Sequence, residues 1–315
     1  MTEIIKPKVT IMIPTFNQAE FIGEAIDSAL AQTYSNLEII VGDDASTDAT
    51  PQILAKITDS RLKYVRNPNN IGRTANYKNL LYSHATGDYV INLDGDDYYI
   101  DPDFVLNAVG LLDHNKIVMI VAKATTKNLT KEWVSKIPVF RKRTGLDILR
   151  ELPKNEYMLM HMAVLYSREH ALSADFYRSG AISSDWESLY RLTLRGEVRY
   201  LDKNIGIWRQ HGSNETGTGD LLKLVANLRI WNSIYAEAVT FGMNKWLAQF
   251  ICARCVANYA SSTCIKLSLG NRRKIVKFLT STAKEFWLPT ILLVIYPKYT
   301  VRIVLSLLGY YNRPT

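Results

Sequence analysis

Hydrophobic positions along the first hundred residues switch repeatedly between two periods. Val9-Thr10-Ile11-Met12-Ile13-Pro14 is a short apolar run closed by proline, the pattern of a buried strand. Phe21, Ile22, Ala25, Ile26, Ala29 and Leu30 then recur at helical spacing, which predicts an amphipathic helix. Leu37-Glu38-Ile39-Ile40-Val41 predicts a second strand, running into polar Gly42-Asp43-Asp44-Ala45-Ser46-Thr47-Asp48. Asp48 or Thr50 can cap the next helix, with Pro51 in its first turn. Leu62-Lys63-Tyr64-Val65 is a further strand, and Asn69-Asn70-Ile71-Gly72-Arg73 turns into a helix from about Thr74 to Ser83. Asp88-Tyr89-Val90-Ile91, after a Gly-Asp turn, is another buried strand. Such alternation predicts an α/β fold, a Rossmann-like, mostly parallel sheet with helices on both faces. Right-handed crossovers then bring the polar loops to one edge.

That edge is where ligands bind in open α/β sheets, and there the chain carries Asn92-Leu93-Asp94-Gly95-Asp96-Asp97. Three carboxylates so close stay ionised most easily beside a cation. Their hard oxygens suit Mg²⁺ or Mn²⁺ together with substrate phosphates. An EF-hand does not fit: counting from Asp94, position 6 is Tyr99 rather than Gly and position 12 is Val105 rather than Glu. A solvated acidic turn is the bland alternative.

Five segments then stand in a telling order: Val9 to Asn17, Val41 to Thr50, Asn70 to Asn76, Gly87-Asp88-Tyr89 and Leu93 to Asp97. Together they resemble family 2 glycosyltransferases of the GT-A fold, the type found in bacterial O-antigen and capsule synthesis. The resemblance is specific over about the first hundred residues, weaker to about residue 214, and does not cover the last hundred. It implies an inverting transferase that takes a sugar from a nucleotide-sugar donor, a UDP-sugar in the commonest case, with Mn²⁺ or Mg²⁺ neutralising the departing diphosphate. By position, Asp94 and Asp96 match the family's Asp-x-Asp motif, with Asp96 favoured as direct metal ligand and Asp94 alternatively meeting ribose. Asp43 and Asp44 match the pair that meets base and ribose. Pro14, Thr15 and Asn17 match the loop along the nucleoside, and Arg73 a basic position near base or phosphates. Asn70 and Asp97 join them as donor contacts.

Further on, Ser183-Ser184-Asp185-Trp186-Glu187 opens an amphipathic helix and resembles the acceptor-side acidic motif. An inverting displacement needs a carboxylate that accepts the acceptor hydroxyl's proton. Asp185 matches that base, Glu187 is the fallback, and Trp186 and Glu187 are candidate acceptor contacts. The structural alternative is helix N-terminal charge, which the macrodipole favours in any case. Trp208-Arg209-Gln210-His211 resembles a family run after the last core strand, making His211 a candidate third metal ligand or a diphosphate contact. Cys252 and Cys255 suit one face of a helix, so buried free thiols are expected rather than a metal site.

Composition changes the picture only at the C-terminus. The chain has 315 residues, 47% hydrophobic, enough for one large domain and an appendage. Three cysteines and an N-terminus without an apolar run suggest a cytoplasmic setting. The net charge of +8 is uneven: Leu221 to Thr315 holds thirteen Lys and Arg against two acids. No nucleic-acid motif accompanies this charge, so nucleic acid is not expected as a partner. Basic Arg272-Arg273-Lys274-Ile275-Val276-Lys277 is followed by apolar runs at 286–296 and 301–311, each too short to span a bilayer and rich in Trp and Tyr. In-plane helices on an anionic leaflet are expected, the alternative being packing on the catalytic domain or a homo-oligomer built through these helices.

The expectation is therefore a GT-A domain over 1–214 and a helical, basic, membrane-associating region over 215–315. The polar Gly-rich stretch 212–220 would be the boundary and a lid. The protein is expected at the cytoplasmic face of the inner membrane, extending a saccharide or lipid-linked saccharide. A nucleotidyltransferase and a non-catalytic sugar-nucleotide-binding subunit are the rival readings.

Overall fold

The computed structural model describes residues 6–112, 116–128, 130–137, 142–154, 159–211, 220–268 and 272–308. The chain divides into two compact units, one of Met1–Ile148, Glu156–Gly180 and Ser184–His211, the other of Leu149–Asn155, Ala181–Ser183 and Gly212–Thr315. The Gly-rich stretch 212–219, read as boundary and lid, lies outside the described residues.

The first unit is built on β1 (Val9–Thr15), β2 (Leu37–Asp43), β3 (Leu62–Arg66), β4 (Tyr89–Asn92), β5 (Tyr98–Tyr99), β6 (Ile117–Lys127), β7 (Glu132–Val134), β8 (Lys142–Thr144), β9 (Val164–Ser167) and β10 (Glu197–Arg209). Between them lie α1 (Ile22–Leu30), α2 (Thr50–Leu54), α3 (Arg73–Asn79), α4 (Phe104–Val109), α5 (Gly145–Glu151), α6 (Arg168–Ser173) and α7 (Ser184–Thr193). The strand order is β3-β2-β1-β4-β9-β6-β10-β5, with β7 on β6 and β8 on β10.

From β3 to β4 the sheet is parallel, as the alternation predicts. Beyond β4 it is mixed: β9 runs against both β4 and β6, while β6 and β10 are parallel. The sequence reading did not reach this half, because the regular strand–helix alternation it rests on ends after β4. All seven residues of β1 are buried, which explains its near-continuous apolar run: both faces are covered. Ile22, Ala25, Ile26 and Ala29 supply the buried face of α1. The helix expected from about Thr74 starts one residue earlier and gives way at Leu80–His84 to a π turn, closed by Ala85 N–H to Leu80 O at 2.8 Å.

The second unit is helical: the C-terminal end of α5, then α8 (Leu221–Asn227), α9 (Arg229–Thr240), α10 (Lys245–Ser268), α11 (Arg272–Glu285), α12 (Trp287–Ile295) and α13 (Pro297–Leu307). Cys252, Cys255 and Cys264 are free and buried on α10, and burial pushes each thiol up to about 12. Among the described residues no single helix is long and apolar enough to cross a membrane, and α12 and α13 meet at an 87° bend.

Candidate active site

Parallel register puts the ends of β1, β2 and β4 side by side: Thr15 lies opposite Asp43, and Met12 opposite Asn92. The loops beyond them are fastened to one another. Asn17, in the left-handed region at φ 52°, accepts from Thr47 N–H at 2.8 Å and donates its own N–H to Ser46 Oγ at 2.9 Å. Thr15 Oγ1 donates to Gln18 Oε1 at 2.8 Å, and Pro14 O accepts from Gly95 N–H at 3.1 Å.

Asp43 and Asp44 are both buried and heavily hydrogen-bonded. Asp43 Oδ2 accepts from Tyr64 Oη at 2.9 Å and Arg66 Nη1 at 2.8 Å, and its Oδ1 from Ser46 N–H at 2.8 Å. Asp44 Oδ1 accepts from Asn67 Nδ2 at 2.9 Å and Ile71 N–H at 2.8 Å, and its Oδ2 from Gly72 N–H at 2.8 Å. Gly72 sits at φ 89°, where a side chain would be strained. Asp44 thus sets the turn that presents exposed Asn70 and starts α3 at Arg73. In this structure the pair braces its own loops through these bonds.

The acidic loop follows β4. Ligand oxygens of Asp94, Asp96 and Asp97 lie within 4.8 Å of one another, and no other group of this kind occurs among the described residues. Gly95 separates the first two, where a Cβ would meet Gln18 Oε1 at 2.5 Å and Thr15 Oγ1 at 3.0 Å. Burial, then the neighbouring Asp96 charge, pushes Asp94 up to about 7. Burial and the Asp96 and Asp94 charges also raise Asp97 well above the ordinary aspartate value, although its Oδ1 accepts from Arg209 N–H at 2.9 Å. Carboxylates crowded into a poorly solvated loop are strained as anions, and a divalent cation relieves that. The all-oxygen donor set therefore fits Mn²⁺ or Mg²⁺. His211 lies just outside this group. Its Nε2 is 2.9 Å from Asp96 Oδ2, and its ring stacks on Phe21 with centroids 4.9 Å apart.

Arg209 stands out in the sequence only as part of a run, yet it braces the loop. It donates to Asp96 O at 3.0 Å, pairs with Glu24, and lies over the Tyr98 ring at 4.3 Å. Trp208 and Arg209 belong to β10 itself rather than to a loop after it. The strand continues because β6 pairs with it as far as Arg209.

Asp185 stands in the first turn of α7, where the N–H groups of Asp185 and Trp186 favour its ionised form. Burial raises its pKa, and the nearby Arg73 charge opposes the rise. Asp185 is close enough to Asp94 and Tyr77 to perturb both. Tyr77 links the site: its hydroxyl donates to Asp94 Oδ1 at 2.6 Å, and Arg73 lies 5.6 Å from its ring centroid. Behind it, Tyr177 Oη is 2.7 Å from His161 Nε2 and donates to Asn92 Oδ1 at 3.0 Å, while burial pushes His161 down to about 3. Sequence reasoning missed Tyr77; its place four residues after Arg73 on α3 was the available signal.

Trp186 is half-buried beside Asp185. Glu187 departs from expectation: it is buried and held by Arg178 Nε at 3.2 Å and by Ser179 Oγ. Asp185 and Glu187 are two apart, about 200° around a helix, so they do not face the same way. The structure thus brings together Asp94, Asp96, Asp97, Arg73, Asp185 and His211, and leaves Glu187 outside.

The sequence pattern described as "Glycosyl transferase family 2" matches residues 10–172, just over half of the chain. The chain belongs to that family. One relative is a β-1,3-glucosyltransferase of Escherichia coli, WfaP, named for UDP-Glc and α-D-GlcNAc-diphosphoundecaprenol. That enzyme is 38% identical over 109 residues, 35% of this chain and 43% of its own length. An uncharacterised Mycobacterium tuberculosis protein is 28% identical over 240 residues, 74% of this chain and 63% of that one. The chain thus spans less than two thirds of the length of either relative. Among solved structures, Staphylococcus aureus TarS 1–349 with UDP-GlcNAc superposes at a TM-score of 0.70, with 18% identity, over 96% of this chain and 89% of that one. The mannosyltransferase PcManGT of Pyrobaculum calidifontis, with GDP-Man and Mn²⁺, gives 0.57 and 18% over 98% and 86%. At such identities the likeness shows a shared fold, the GT-A arrangement the motifs led one to expect.

Proposed function

We propose that this family 2 glycosyltransferase moves a sugar, with inversion, from a UDP-sugar to a hydroxyl of a saccharide carried on a lipid diphosphate. The observation that carries the reading is the convergence of Asp185 with the Asp94–Asp96 loop around Tyr77 and Arg73. One wall of the site is acidic and suited to a cation with a diphosphate; the other offers a single elevated carboxylate.

The chemistry follows from these roles. The acceptor oxygen attacks the anomeric carbon while the bond from that carbon to the diphosphate oxygen breaks. Asp185 takes the hydroxyl proton, and its raised pKa makes it a stronger base than an ordinary aspartate. Arg73 supplies positive charge near the departing diphosphate. Asp94 and Asp96 would hold Mn²⁺ or Mg²⁺, with His211 orienting Asp96; the bound ion supplies charge neutralisation for the leaving nucleoside diphosphate. Asp43, Asp44, Asn17 and Thr15 keep the nucleoside side of the pocket in shape through their loop bonds. UDP as the nucleotide, and a lipid diphosphate as carrier, are supported by the names of the TarS complex and of WfaP.

A donor screen tests this. With Mn²⁺, one UDP-sugar should release UDP slowly and faster when acceptor is added, chelator should stop it, and Asp96→Ala should be inactive while remaining folded. Release that is indifferent to chelator would overturn the metal assignment. Synthesis of a nucleotide-sugar from a sugar phosphate and a nucleoside triphosphate would overturn the transferase reading.

A further inference from the structure

The helices α12 and α13 carry a surface that the catalytic reading does not use. On α12, Trp287, Ile291, Val294 and Ile295 are 43–73% exposed, and they follow the spacing i, i+4, i+7, i+8 that defines one side of a helix. Pro289, Leu292 and Leu293 form its buried side. On α13 and just after it, Val301, Val304 and Leu308 are 46–67% exposed at i, i+3, i+7, while Tyr299 and Ser306 face inward. Single exposed apolar residues are ordinary, but two consecutive helices each turning an apolar stripe outward are not.

The stripe stands in a strongly basic setting. Residues 221–315 carry a net charge of +11, and Arg272, Arg273, Lys274, Lys277, Lys284 and Lys298 are exposed. A second copy is a poor occupant, because it would bring two such positive regions together. Nucleic acid would answer the charge but leave the apolar stripe in water. A surface that is both anionic and able to take up apolar side chains satisfies both. At 9 and 11 residues, α12 and α13 are about 14 and 16 Å long, well short of the roughly 30 Å of a hydrocarbon core. Arms bent by 87° can both lie in one plane.

We infer that the outward faces of α12 and α13 dock the protein in the plane of a bilayer leaflet containing anionic lipids. Trp287, Ile291, Val294, Ile295, Val301, Val304 and Leu308 enter the acyl boundary, and the Lys and Arg side chains meet the headgroups. No residue of this surface belongs to the active site.

The test is flotation of the full-length protein with vesicles of phosphatidylethanolamine and phosphatidylglycerol, 3:1, and with vesicles of phosphatidylcholine alone. Native protein should float with the anionic vesicles and less with the neutral ones. Ile291→Ser with Val294→Ser and Ile295→Ser should lower the partition coefficient by roughly tenfold or more, with an unchanged melting temperature because the residues are exposed. Should that variant unfold, Val294→Glu alone serves as the second probe and should lower binding in the same direction. Arg272, Arg273, Lys274 and Lys277→Gln should weaken binding to anionic vesicles only, as should high salt. Native protein remaining soluble, or binding unchanged by the α12 substitutions, would overturn the inference. So would a dimer in solution that the α12 substitutions dissociate.

Discussion

Asp185 and Glu187 both open α7, but only Glu187 is held in a buried ion pair, and a pair of isosteric substitutions tests whether the two play opposite parts. Glu187 has 4% of its side chain exposed and is held by Arg178, itself 36% exposed, and by Ser179. Glu187→Gln keeps the volume and one acceptor oxygen but removes the charge. Charge-assisted hydrogen bonds contribute about 1.5–3 kcal/mol, and solvent around Arg178 moves this one toward the lower figure. For a unit of this size each kcal/mol shifts the melting temperature by about 2–4 °C, so a fall of roughly 3–10 °C is expected. Asp185→Asn acts the other way. Burial raises the Asp185 pKa, so the folded state holds this proton more tightly than the unfolded one. Stability therefore falls as pH rises from the ordinary aspartate value through the raised one, and a neutral Asn escapes that loss. Its melting temperature at pH 8 should hold or rise, while turnover falls about 10²- to 10⁴-fold. The assay pairs steady-state UDP release with calorimetric melting and donor titration. A Glu187→Gln enzyme that is inactive at unchanged melting temperature, beside an active Asp185→Asn enzyme, would refute the assignment.

Three further outcomes follow from the same geometry. Tyr77→Phe preserves packing and removes the 2.6 Å bond to Asp94; Mn²⁺ affinity by calorimetry should weaken about 10- to 100-fold, and unchanged affinity would show that the hydroxyl does not position Asp94. Asp44→Ala strips the acceptor from Asn67, Ile71 and Gly72, so urea unfolding should show a loss of about 3 kcal/mol or more, together with weaker donor binding. With Mn²⁺ held saturating, kcat/KM should rise with pH, because the base works ionised, and the midpoint should lie above an ordinary aspartate because burial raises Asp185. Asp185→Asn should abolish that acid limb, and a native profile that declines over the same range would exclude Asp185 as the base.

The alternating periods of the first hundred residues were enough to specify β1 to β4 as strands of a mostly parallel sheet and the edge where their loops converge; their order came from the fold. Strands β1, β2 and β3 pair with their neighbours in sequence, β4 follows in the same strand–helix alternation although it pairs with β1 across 80 residues, and each face is written in local hydrophobic spacing. The acidic loop was legible for the same reason, since Asp94, Asp96 and Asp97 lie within four positions of one another. What lies beyond β4 was not. The antiparallel insertion of β9 between β4 and β6 joins residues some 75 apart in the chain, and no local period encodes such a pairing. Glu187 carries the same charge as Asp185 in the sequence, and only the packing of Arg178 and Ser179 around it decides that it is structural. Tyr77 reads as one more helical aromatic until the fold places its hydroxyl on Asp94. Along the chain α12 is apolar almost throughout; tertiary packing decides which of its residues are buried and which face outward. Sequence determined which chemistries were available at which strand ends. The three-dimensional fold decided which carboxylates share a site, because proximity across long chain separations and solvent exclusion are properties of the packed molecule alone.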